Sequence, residues 1–123
     1  MILDRRIVRR ALGALAAVLI AGALVACGQG KPETVPSDEG VEPVVTVYAI
    51  DNRYEPAEVE IEPGQAVRWV FQCSMEHDVV AEDGSFVSEL QLTGEYVHVF
   101  DEAGEFAYDC SIHPEMTGKV TVR

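Results

Sequence analysis

Residues 110–116 read CSIHPEM, so Cys110, His113 and Met116 follow one another at intervals of three close to the C-terminus. A thiolate, an imidazole and a thioether are soft or borderline metal donors. At this spacing all three share one short loop. Donors on a loop alone hold an ion loosely, so a fourth is expected from a more rigid element, and His77, at the head of HDVVA, is the best candidate. Two imidazoles, one thiolate and a weaker axial thioether are the set described for blue-copper electron-transfer sites. Zinc stands second, because it prefers four N, S or O donors and gains little from Met116, although the metal-free site could take it adventitiously.

The elements that must position these donors are strands. VVTVYAI (44–50), AEVEI (57–61), AVRWVFQC (66–73), EYVHVF (95–100), GEFAYDC (104–110) and TGKVTVR (117–123) carry β-rich or alternating patterns, with HDVVA and SFVSEL as weaker candidates. Pro63 and Gly64 in EPGQ supply a turn. Short strands at this spacing predict an all-β Greek-key β-sandwich with antiparallel connections, in one domain over residues 44–123. Trp69, Phe71 and Cys73 share one face of their strand, and His98 shares a face with Tyr96 and Phe100. Structural roles are expected for His98 and for Met75, and Cys73 reads as a core thiol or an accessible one. A disulfide between Cys73 and Cys110 is rejected, since it would take Cys110 from the His and Met beside it.

The N-terminus carries a different message. Arg5, Arg6, Arg9 and Arg10 precede an apolar run that ends in LVAC, the pattern of an export signal over residues 1–26. The small residues before Cys27 resemble a bacterial lipobox, which makes Cys27 the expected lipidation point and the outer face of the cytoplasmic membrane the expected location. The apolar run is short for a membrane span, which takes roughly 20 residues. Residues 27–43 then read as the lipidated Cys and a flexible acidic tether, rich in Gly and Pro, reaching about 20–24 Å. The whole chain carries a net charge of −12, and loss of residues 1–26 makes it about −15. Nucleic acid is thereby excluded as a partner.

At this point the motifs converge. YEPAEVEIEPGQAVRWV, SMEHDVV, DEAGEFAYDC and CSIHPEMTGKV together resemble the cupredoxins, in particular those with a short copper loop. The resemblance spans most of residues 44–123. It implies a cupredoxin-like sandwich, one type 1 copper held by His77, Cys110, His113 and Met116, and single-electron transfer by a monomer. Redox partner proteins such as a c-type cytochrome, a dehydrogenase or a respiratory complex follow from the same resemblance. Two positions depart from the family pattern: Ile112 stands where many relatives have Pro, and Asp78 where Asn is common.

Capture or delivery of copper is the alternative function, and it predicts an open, Met-rich or His-rich surface. The chain has three Met, one of them the initiator, which gives that reading little support. Catalysis is not expected. A copper oxidase needs an open coordination position or further metal centres, and a Cys/His hydrolase needs a base and an orienting group that a six-residue turn does not offer.

Overall fold

The computed structural model describes residues 30–123; the leader and Cys27 lie outside them. Eight strands follow in order: β1 (Val45–Ile50), β2 (Arg53–Glu55), β3 (Glu58–Ile61), β4 (Gln65–His77), β5 (Val80–Ala81), β6 (Gln91–Phe100), β7 (Gly104–Asp109) and β8 (Thr117–Val122). They form two four-stranded sheets, ordered β2-β1-β4-β6 and β3-β8-β7-β5, so the all-β sandwich is the observed fold.

Alternation builds the core. In β4, Val67, Trp69 and Phe71 are buried; in β7 and β8, Tyr108, Val120 and Val122 meet them from the other sheet. Trp69 is the centre, with the rings of Phe86 and Tyr108 at 5.4 and 5.5 Å. Such contacts bind the two sheets by apolar burial and ring packing. His98 fits this frame as expected, half-buried with its ring 5.1 Å from Phe86 and 4.7 Å from Phe100.

Pairing differs from the all-antiparallel expectation at two places. β1 runs parallel to β4 and β3 runs parallel to β8. Parallel neighbours need a crossover rather than a hairpin, and between β1 and β4 the chain passes through β3 of the other sheet. SFVSEL is not a strand; it contributes one bridge, Val87 to Val80, and buries Phe86 and Val87. β2, short and with one buried residue, Tyr54, carries too little pattern to be read from sequence.

The segment read as a flexible tether is docked along part of its length. The Val35 N–H donates to the Val87 carbonyl and the Asp38 N–H to the Val97 carbonyl, each at 2.8 Å. The Ser37 hydroxyl and the Asp38 carboxylate accept from the N–H groups of Val97 and Val99 at 2.9 and 2.8 Å. β6 is an edge strand, and its free backbone groups give a passing segment partners that composition does not reveal. The folded unit therefore reaches back to about Lys31, ahead of the expected boundary at Val44.

Candidate metal centre

Two turns shape the loop between β7 and β8. The Cys110 carbonyl accepts from the His113 N–H at 3.2 Å, and the His113 carbonyl accepts from the Met116 N–H at 2.9 Å. The Cys110 N–H in turn donates to the Met116 carbonyl at 3.1 Å. The first two are successive bonds across three residues, the reach of a β-turn, which is why donors spaced by three can share one compact loop. Cys110 and Met116 are fully buried, and His113 is half-buried at the rim.

His77 arrives from β4 through an irregularity. β4 and β6 stay in register as far as Gln72 and Thr93, and pairing resumes at His77 and Gln91. β4 has more residues than β6 between those pairs, so it bulges. Ser74, Met75 and Glu76 turn out to solvent and His77 returns fully buried to the core face.

The donors meet. His77 Nδ1 lies 3.6 Å from Cys110 Sγ, His113 Nδ1 lies 3.9 Å from it, and the two ring nitrogens are 3.2 Å apart. Donors about 2.0–2.3 Å from a single ion stand roughly 3–4 Å from one another, so the residues present fit one metal. Met116 lies in the same buried cluster as Cys110, and both belong to the core that Trp69 and Tyr108 form. Burial pushes the Cys110 thiol above its ordinary range, opposed by backbone N–H groups around it. Metal binding must therefore displace a proton from it.

Several residues that sequence reasoning did not select support the donors. His77 Nε2 faces Asp51 Oδ1 at 3.4 Å, and the hydroxyl and N–H of Ser74 hold that carboxylate. The Ser74 bonds also keep Asp51 below its usual carboxylate range. An acceptor at Nε2 leaves the Nδ1 lone pair free to face Cys110. Asp78, fully buried, accepts from the Ser111 N–H at 2.7 Å and the Ser111 hydroxyl at 2.6 Å, joining the residue after His77 to the residue after Cys110. The Tyr54 hydroxyl donates to the Asp78 carbonyl, and burial holds that phenol protonated. Asp78 is visible in sequence as a departure; no spacing rule points to Ser111, Asp51 or Tyr54.

Cys73 and Cys110 are both free thiols. Cys73 is half-buried, its Sγ donates to the Ala49 carbonyl at 3.0 Å, and burial raises its pKa, so it is held as a neutral thiol. Asp51, Cys73 and His77 also lie close together, but this group shares His77 with the first.

A β-sandwich that brings two imidazole nitrogens and a buried cysteine sulfur within 3.2–3.9 Å of one another, with a methionine on the same loop, is the architecture of a mononuclear copper protein. A family model described as a cupredoxin-like domain matches residues 15–122, and the chain belongs to the cupredoxin family. It resembles amicyanin within that family: it is 39% identical over 77 residues to amicyanin of Paracoccus versutus, covering 57% of this chain and 58% of that protein. To amicyanin of Paracoccus denitrificans it is 31% identical over 102 residues, 72% of this chain and 77% of the relative. Among solved structures, a purple cupredoxin from Nitrosopumilus maritimus superposes with a TM-score of 0.59 at 31% identity, covering 64% of this chain and 99% of the other. Cupredoxins of this kind carry electrons on one type 1 copper and are not enzymes.

Proposed function

We propose that the chain is a one-electron carrier whose copper is held by His77, Cys110, His113 and Met116, and that Cys27 tethers it by a lipid to the outer face of the membrane. The observation that carries the site assignment is the cluster of three donor atoms within 3.2–3.9 Å of one another. The metal supplies a Cu(I)/Cu(II) couple when bound. The chain's part is to keep the donors still. His77 is set by a strand and by Asp51, Cys110 by its burial and by the Ser111–Asp78 brace, and His113 by turn bonds on either side. Such a frame changes little between oxidation states, which lowers the reorganisation that outer-sphere transfer must pay for.

His113 is the half-buried imidazole and supplies the path to a partner. Ile112 beside it and Met75 before His77 are exposed apolar residues, 49% and 55% accessible. Leu90 and Leu92, on either side of the Gln91 that pairs with His77, are exposed as well. Apolar residues at the donor end suit brief, close contact with a redox partner. The net charge of −12 favours a cationic one, such as a c-type cytochrome.

Adding Cu(II) to the metal-free chain should give an intense visible thiolate-to-copper band that disappears on reduction and returns on reoxidation. Weak copper absorption alone would end the reading. Transfer rates with a cationic cytochrome should fall as salt rises, because the Debye length shortens from about 30 Å at 0.01 M to about 8 Å at 0.15 M. Rates that stay flat would place the acidic residues away from the docking face.

The anchor has its own test. A labelled fatty acid should be incorporated into the chain, and the label should be lost on replacing Cys27 by Ala. A label that persists in that variant would end the assignment of Cys27 as the anchor.

A further inference from the structure

The carboxyl group of Asp78 lies in the protein interior. Its side chain is 0% exposed, and the Ser111 N–H and hydroxyl are neutral donors to it. A carboxylate so placed is costly without a cation, because removal from water disfavours the charge by several kcal/mol even after relaxation. The cation comes from the N-terminal segment. Lys31 Nζ lies 2.8 Å from Asp78 Oδ2 and donates a second bond to the Ser88 carbonyl, and its side chain is 23% exposed. Ser88 itself is buried, and its hydroxyl accepts from the Val79 N–H at 2.9 Å. Lys31 thus binds on both sides of the short stretch that follows His77.

The segment that brings Lys31 there is fastened independently. The bonds of Ser37 and Asp38 to Val97 and Val99 lay it along the free edge of β6, and the bond of Val35 to Val87 fastens it to the segment before that strand. Lys31 follows Cys27 by only a few residues. The chain between the expected lipid and the donors is therefore short, and it ends in an ion pair with the carboxylate that braces two donor-bearing segments.

We infer that Lys31 is a positioning residue for the copper site: as the counter-ion of Asp78 it holds the brace between the His77 and Cys110 segments, and it makes the N-terminal strap part of the electron-transfer unit. This rests on the proposed copper reading. Lys31 touches no donor atom and acts through Asp78 and Ser111. Its positive charge near the site also disfavours Cu(II) relative to Cu(I), so its loss has a defined electrical sign.

The test is a cycle of Lys31→Met, Asp78→Asn and the double change, with Lys31→Arg as the charge-keeping control, all in the full chain. Methionine keeps the apolar stem, and asparagine keeps the shape and an acceptor for Ser111. In the copper-loaded protein, Lys31→Met should shift the oxidised-to-reduced ratio at fixed solution potential about three- to tenfold toward Cu(II), tenfold being about 59 mV for one electron. Lys31→Arg should stay within about twofold of the parent. In the Asp78→Asn background, where Lys31 has no carboxylate to hold it, Lys31→Met should shift the ratio by less than about twofold. An unchanged ratio in the Lys31→Met single variant, or an equal shift in both backgrounds, overturns the inference.

Urea unfolding of the metal-free chains gives the readout that does not need copper. Lys31→Met should raise the unfolding equilibrium constant about tenfold when Asp78 is present and little when it is Asn. If the parent shows no thiolate-to-copper band, the functional reading fails by itself, and this cycle still decides whether Lys31 compensates Asp78. Equal destabilisation in both backgrounds refutes the pairing whatever metal the site takes.

Discussion

Changing Cys110 to Ser is expected to abolish the intense visible absorption of the copper-loaded chain altogether. The band requires a thiolate bonded to Cu(II), and Cys110 Sγ is the sulfur lying 3.6 and 3.9 Å from the two imidazole nitrogens. A serine hydroxyl is hard, shorter in reach and protonated at neutral pH, so it can neither supply the charge-transfer state nor balance the metal's charge. It is also placed where Cys110 is fully buried. Copper affinity should fall with the colour. The measurement is absorbance at equal copper content, established by metal analysis of each variant. Cys73→Ser is the control and should keep the band, since its sulfur is engaged with the Ala49 carbonyl. Colour that survives in the Cys110 variant and vanishes in the Cys73 variant would move the site to the other thiol.

The second large effect concerns the fold that holds the loop. Gly118 faces Tyr108 directly across the β7–β8 pair, and the ring of Tyr108 lies over it. A Cβ at position 118 would stand 2.3 Å from Tyr108 Cζ and 2.4 Å from its hydroxyl oxygen. The ring has nowhere to go. It is 1% exposed, edge-on to Trp69 at 5.5 Å and to Tyr54 at 4.7 Å. Gly118→Ala is therefore overpacking in the centre of the sandwich, expected to cost about 3 kcal/mol, the upper part of the usual range. For a domain of this size that lowers the melting temperature by about 12–24 °C. Thermal unfolding of the metal-free chain measures it. A shift of less than about 4 °C would mean that Tyr108 can leave its place without disturbing its neighbours. Displacement of Tyr108 also presses on Tyr54, whose hydroxyl bonds the Asp78 carbonyl, so the effect should reach the copper spectrum of whatever fraction stays folded.

These two sites differ in how far they can be read from a sequence. The loop is legible because its order is local. Cys110, His113 and Met116 are joined by hydrogen bonds that span three residues, so the spacing of the letters is the geometry of the turns. The strands are legible for the same kind of reason, since alternation of apolar and polar residues reports a face and needs no knowledge of the partner. The apolar leader, the small residues before Cys27 and the excess of acid are likewise properties of composition and order, and they carry the expectations of export and of a cationic partner. Gly118 shows the limit: its pattern is ordinary, and only the ring opposite makes its missing side chain necessary.

What tertiary structure alone decided is every contact whose cause lies far away along the chain. His77 is one isolated imidazole in sequence, and it turns inward because β4 gains residues against β6 ahead of it. The parallel pairing of β1 with β4 and of β3 with β8 depends on crossovers, which alternation does not specify. Asp51 meets His77, and Asp78 meets Ser111, across separate strands and loops. Residues 31–38 look like a solvated tether because they bury little of their own, yet the edge of β6 offers them unpaired backbone groups and Asp78 offers Lys31 a buried charge. Hydrogen bonds and ion pairs of that kind are set by which surfaces the fold leaves unsatisfied, and a linear pattern of residues contains no record of that surface until the two sheets have closed.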